Sequence, residues 1–149
     1  MVWGAISSSG RLHLICMEEK ITAESYTDML ENDFFNMVEE DLPENFLWMH
    51  DNAPPHVANK TKEFLERKGI VSLTWPPMSP DLNPIENVWS LLQKEVYKEK
   101  KVYKNTTDLW EAIIAAWHAL SAETFQNLYN SMPVRMIKVI EEKGERIKF

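Results

Sequence analysis

The sequence predicts an α/β fold: a mixed sheet flanked by helices, with a helical C-terminus. Three observations carry this. The chain opens with two short apolar runs joined by Ser and Gly, the pattern of a hairpin. A strand, a helix and a strand then follow between residues 46 and 75, the signature of a βαβ unit. From Pro84 onward the apolar residues recur at helical spacing.

The 149 residues are read as one domain, 1–149, long enough to bury a sizeable core. No run of about 18 apolar residues exists, so no membrane span or membrane partner is expected. The N-terminus lacks the basic and long apolar regions of a signal peptide. Cys16 stands alone, which rules out an internal disulfide framework and suits a reducing compartment. The net charge of -7 argues against a general nucleic-acid coat. It leaves room for an acidic, metal-binding centre with a local basic patch.

Taken in order, Val2 to Ser8 and Arg11 to Met17 make the hairpin, with Ser9-Gly10 at its tip. Thr22 to Val38 is helical. Thr22 and Ser25 offer start signals, and Tyr26, Met29, Leu30, Phe34, Met37 and Val38 mark its inner face. Glu39-Glu40-Asp41 and Pro43 end it. Phe46 to His50 is short and apolar on both faces, as a buried parallel strand would be. Val57 to Lys68 is the next helix, with Ala58, Thr61, Phe64 and Leu65 inward and Gly69 as its stop. Ile70 to Trp75 is the second strand of the βαβ unit.

Asn83 and Pro84 start a helix that runs to about Lys98. Ile85, Val88, Trp89, Leu92 and Val96 form its apolar stripe. Asp108 to Leu120 is helical, with Leu109, Ile113, Ala116, Trp117 and Leu120 inward. Ser121 caps a last helix that kinks or breaks near Pro133 and continues to Gly144. The tail from Glu145 to Phe149 is expected to fray. Trp48, Trp89, Trp110 and Trp117 belong to the core on this pattern.

Two carboxylates stand out. Asp51 ends the strand from Phe46, and ligands in open α/β sheets sit beyond the carboxyl ends of parallel strands. Glu86 lies in the first turn of the helix that Asn83 opens. Oxygen ligands with little Cys or His favour Mg²⁺ or Mn²⁺ over zinc, and two such ions can drive phosphodiester chemistry. Each acid also has a plainer reading. Asp51-Asn52 before Ala53-Pro54-Pro55 is ordinary turn chemistry, and Asn83 with Glu86 has the spacing of a capping box.

The stretch Phe46-Leu47-Trp48-Met49-His50-Asp51-Asn52-Ala53-Pro54-Pro55-His56 carries a resemblance. So does Trp75-Pro76-Pro77-Met78-Ser79-Pro80-Asp81-Leu82-Asn83-Pro84-Ile85-Glu86-Asn87-Val88-Trp89. Together they resemble the catalytic domain of the Tc/mariner transposases, and Val2-Trp3-Gly4-Ala5 resembles a strand of the same domain. The thirty-four residues between Asp51 and Glu86, and Glu rather than Asp at the end, are similar to the Tc branch. The resemblance implies a ribonuclease H-like fold and DNA cutting and joining by two Mg²⁺ or Mn²⁺ ions held by three acids. Asp51 would be the second acid and Glu86 the third, both catalytic and both metal ligands. DNA at transposon ends would be the partner, with a homo-oligomer and a nuclear location.

The family's first acid sits on a strand ahead of the position of Met1. None of Glu18, Glu19, Glu24, Asp28 or Asp33 ends an apolar strand preceding the hairpin. The family's end-reading helix-turn-helix region has no counterpart in these residues either. The expectation is a domain shortened at its N-terminus, with the first strand missing and no transposition by these 149 residues alone. A non-catalytic, transposase-derived interaction module is the alternative. A ribonuclease H-type metal nuclease acting on RNA would need the same first acid.

His50 reads as a strand residue and His56 as a helix-start residue that could touch nucleic acid. With Cys16 they do not assemble a zinc set. Lys94, Lys98, Lys100, Lys101 and Lys104, with Tyr97 and Tyr103, form a basic and aromatic patch. It reads either as a phosphate-tracking edge or as a solvated helix end.

Overall fold

The structure, a computed structural model, describes residues 1–43 and 45–147. The chain divides into two compact units. One comprises Met1–Trp3 and Met17–Ser79, the other Gly4–Cys16 and Pro80–Phe149. Strands β1 (Val2–Ser7) and β2 (Gly10–Cys16) form the predicted hairpin. Its turn is Ser8-Ser9, one residue earlier than Ser9-Gly10. The Ser9 N–H donates to Ser7 Oγ at 3.2 Å, and Gly10 opens β2 at φ +140°, a conformation that side chains rarely adopt.

In the first unit, Thr22 and Ser25 form a reciprocal capping box at the start of α1 (Ala23–Met29). A π-helical segment, Leu30–Phe35, follows, then α2 (Asn36–Val38) and a 3₁₀ turn, Glu39–Asp41. The wider π turn shifts the helical phase. Val38 therefore points inward while Met37, expected on the inner face, is exposed. Phe34 is fully buried, with Trp3 at 5.1 Å and Trp48 at 5.6 Å between ring centroids. Phe35 bridges Trp48 and Phe64. This ring cluster is the core of the unit.

The βαβ expectation holds with shorter strands. β3 (Leu47–Trp48) pairs in parallel with β4 (Val71–Ser72). Trp48 is buried, but Leu47 is 60% exposed and Val71 62% exposed. The run is thus not covered on both faces, because an apolar run does not by itself supply a second layer. The helix expected at Val57 is two helices, α3 (Pro54–Val57) and α4 (Asn59–Arg67), separated by Ala58 in extended conformation. Pro54 and Pro55 favour an earlier start, since proline suits a first helical turn. Thr61, Phe64 and Leu65 are buried, and Gly69 at φ +70° ends the helix.

In the second unit, a 3₁₀ turn (Pro80–Leu82) leads into α5 (Pro84–Val96). The Asn83 side chain accepts from the Ile85 N–H at 3.3 Å. Val88, Leu92 and Val96 are buried on one stripe. Gly4 is needed here: a Cβ on it would lie 2.7 Å from the Trp89 side chain. A second 3₁₀ turn (Lys98–Lys100) follows α5, and α6 (Thr106–Ala119), capped by Asn105, starts two residues before the predicted Asp108.

Ser121 caps α7 (Ala122–Asn130), and the break before α8 (Met132–Glu141) falls at Ser131, leaving Pro133 in α8's first turn. Trp117 stacks on Trp89 and meets Phe125 edge-on. Of the four tryptophans assigned to the core, Trp48 and Trp117 are buried, and Trp89 and Trp110 half-buried. The tail is not frayed at Ile147, which is buried and donates its N–H to Asp81 Oδ2 at 2.8 Å. Lys148 and Phe149 lie outside the described residues. No described helix is long and apolar enough to cross a membrane.

Candidate active site

Asp51 belongs to the first unit and follows β3 on a loop. Its Oδ1 accepts from the Ala53 N–H at 3.0 Å and lies 2.6 Å from His56 Nδ1. The turn reading of Asp51 is therefore realised. It does not compete with a functional one, because both contacts fall on one oxygen and the side chain is 58% exposed. Asn52 ties the same loop to the segment after β4 by donating to the Trp75 carbonyl at 2.9 Å.

His56 is placed by Pro54 and Pro55, which start α3 and turn the ring back toward Asp51. Its side chain is only 17% exposed. It stacks on His50 at 4.8 Å, with 4° between the ring planes, and packs on Tyr26 at 4.5 Å. The indole of Trp48 can only donate, so its bond to His50 Nδ1 at 3.2 Å makes that nitrogen an acceptor. Burial first, and the neighbouring His56 second, push the His50 imidazole down to about 4, with Asp51 opposing the shift. His50 is therefore neutral at pH 7, protonated on Nε2. Burial raises the Tyr26 phenol well above its ordinary range.

Glu86 belongs to the second unit and sits exposed in the first turn of α5, where a negative charge complements the helix dipole. Its N–H donates to the Asn83 carbonyl at 3.1 Å. In a reciprocal capping box the Asn83 N–H would turn to Glu86; here it donates to the Pro80 carbonyl at 3.0 Å.

The donors are carboxylates, the right chemistry for Mg²⁺ or Mn²⁺. Among the described residues, however, no group of three or more His, Cys, Asp or Glu side chains could hold an ion. The donor set within these residues does not amount to the metal site that three acids would make.

The basic patch lies in the second unit. Lys94 is exposed in the last turn of α5, and Lys98 pairs with Glu95 at 3.6 Å. The Lys101 ammonium sits 5.0 Å over the Tyr103 ring, which meets Tyr97 edge-on. Lys101 and Lys104 line an open cavity of about 430 Å³ together with Asp108 and Glu111, so the surface is of mixed charge. Glu99 and Lys100 are both left-handed, at φ 58°.

Two features escaped the sequence reading: the packing of Tyr26 and His50 behind His56, and the burial of Arg135. A lone Arg among Val134, Met136 and Ile137 was the one available signal for the latter.

The family model of the DDE superfamily endonucleases matches residues 1–109. Over 149 residues the chain is 34% identical to the transposase of the transposable element Tc3 of Caenorhabditis elegans, covering 100% of this chain and 45% of that protein. It is 30% identical to the Tcb2 transposase of Caenorhabditis briggsae, again over 100% of this chain and 54% of the relative. The chain thus spans about half the length of the curated relatives it matches. Among solved structures, the catalytic domain of the Mos1 mariner transposase superposes with a TM-score of 0.87 at 18% identity, over 99% of this chain and 75% of that one. The Mos1 paired-end complex with the left transposon end gives a TM-score of 0.86 at 21% identity, over 99% of this chain and 44% of that one.

Proposed function

Because this chain belongs to the DDE superfamily endonucleases, in their Tc/mariner branch, and has a ribonuclease H-like fold, we propose that it is the catalytic domain of a DNA transposase. The observation that carries this is the family match over residues 1–109, which includes both Asp51 and Glu86. The proposed reaction is metal-dependent DNA cleavage and strand transfer. Asp51 acts as its second acid and Glu86 as its third. Mg²⁺ or Mn²⁺ is the proposed cofactor; structures of the Mos1 catalytic domain are described with each of these ions.

Residues 1–149 are proposed as one catalytic domain. Transposon-end DNA is the proposed partner, met by His56 beside Asp51 and by Lys94, Lys98, Lys101 and Lys104. Pairing of two ends would call for a second copy of the chain, and a nuclear location is proposed alongside it. Since these residues supply two acids and not three, no strand transfer is expected from them alone.

One second reading is a non-catalytic, transposase-derived interaction module. Titration of Mn²⁺ by electron paramagnetic resonance separates the two. Catalytic carboxylates give weak binding by the 149-residue chain that falls further in both Asp51→Asn and Glu86→Gln. Binding unchanged in both variants would remove these residues from the site and leave the module. Mg²⁺- or Mn²⁺-dependent strand transfer by the chain itself, lost in Asp51→Asn, would overturn the expectation of inactivity.

A further inference from the structure

Arg135 on α8 is 2% exposed and is the largest fully buried side chain described. A buried guanidinium is a poor way to fill a core, because apolar replacements of similar volume are often neutral or stabilising. What distinguishes it is where its donors go. Nε donates to Ser131 Oγ at 2.9 Å, in its own helix start. Nη1 donates to the Asp81 carbonyl at 2.9 Å, and Nη2 to Asn87 Oδ1 at 2.7 Å.

Asp81 and Asn87 flank Glu86 on both sides in sequence. Asp81 is held a second time, its carboxylate accepting from the Ile147 N–H at 2.8 Å. The turn and first helical residues that carry Glu86 are therefore clasped by the segment from Ser131 to Ile147. That segment lies beyond the residues the family model matches, which end at 109.

We propose that Arg135 is a positioning residue: its planar fork joins α8 to the peptide at Asp81 and the side chain of Asn87, and so fixes where α5 begins and where Glu86 is presented. A fork of fixed geometry spans these partners, and the single ammonium of a lysine would not. The proposal rests on the reading of Glu86 as a catalytic acid for its significance, but not for its geometry.

The test is residue-resolved amide hydrogen exchange by NMR on the 149-residue chain carrying Arg135→Met, beside thermal unfolding. Methionine keeps much of the volume and none of the donors. The expected result is a midpoint little changed, with exchange at Glu86 and Asn87 faster by about tenfold or more, the size expected when hydrogen bonds from a charged donor are lost. Amides in the second half of α5 keep their protection, and Arg135→Lys restores the Glu86 region only in part. Unchanged exchange at Glu86 and Asn87 in Arg135→Met would show that Arg135 only fills space, and would overturn the proposal. If Arg135→Met does not fold, Asn87→Ala removes one acceptor from the other side and must loosen the same amides. Exchange needs no catalysis, so the catalytic reading can fail, through Mn²⁺ binding unchanged in Glu86→Gln, while the clamp stands.

Discussion

The two units present their acids by different means. In the first, Asp51 sits on a loop, and side chains hold it: a bond from His56, whose ring packs on His50 and Tyr26. Only a two-residue parallel pairing lies beside it. In the second, Glu86 sits on a thirteen-residue helix whose start is fixed by the Asn83 cap, Pro84 and a buried arginine. The difference teaches that a carboxylate can be placed by ring packing or by helix geometry. The two placements should fail differently.

The largest expected effect breaks the ring-packed side. Phe34→Ala removes a fully buried ring that touches Trp3, Phe35 and Trp48. Its cost should be about 3–5 kcal/mol in urea unfolding, with the NMR signals of His50 and His56 moving as the cluster loosens. A loss below about 1 kcal/mol would mean that the rings do not carry this unit. Next comes the helix side. Asn83→Ala removes the cap bond to Ile85 and should cost about 1 kcal/mol, with faster exchange confined to the first turn of α5. Exchange that spreads along the whole helix would mean that the cap is not a local device.

The effect that is smallest at neutral pH is electrostatic and belongs to the ring-packed side alone. His50 binds its proton less readily folded, at about 4, than at its ordinary 6.5. Between those values the unfolded chain holds more protons, so stability rises with pH there. The contribution is complete above about 6.5 and is lost as pH falls toward about 4. Urea midpoints measured across this window should fall less steeply with acid in His50→Gln than in the parent chain. Equal slopes would show that His50 is not held neutral by its burial.

Much of the frame was legible because local chemistry decides it. Thr22 with Ser25, Asn83 with Pro84, and Ser121 each start the helix that they were read to start. What was not legible depends on partners distant in the chain. The run from Phe46 to His50 shows that a strand is present, but its two paired residues are set by β4. Met37 fell off the inner face because a π turn leaves no mark in apolar spacing. Asp51 and Glu86 came from motifs; the His56 contact depends on how Pro54 and Pro55 fold the loop, which residue spacing does not encode. Arg135 drew no assignment from its sequence position, and only packing reveals where its fork reaches.

The hairpin has a consequence for dissecting this protein. Gly4 is pressed against Trp89, and the Arg11 guanidinium donates to the carbonyl of Leu120 at 2.9 Å. The stretch Gly4–Cys16 is thus bonded to the end of α6 through Arg11, past residue 109, where the family match stops. A chain cut at that boundary would keep both acids and lose most of α6, all of α7 and α8, and the stacking partner of Trp89. The segment that the family model matches is shorter than the one that folds, and a protease or an experimenter trimming to the former would be dismantling the latter.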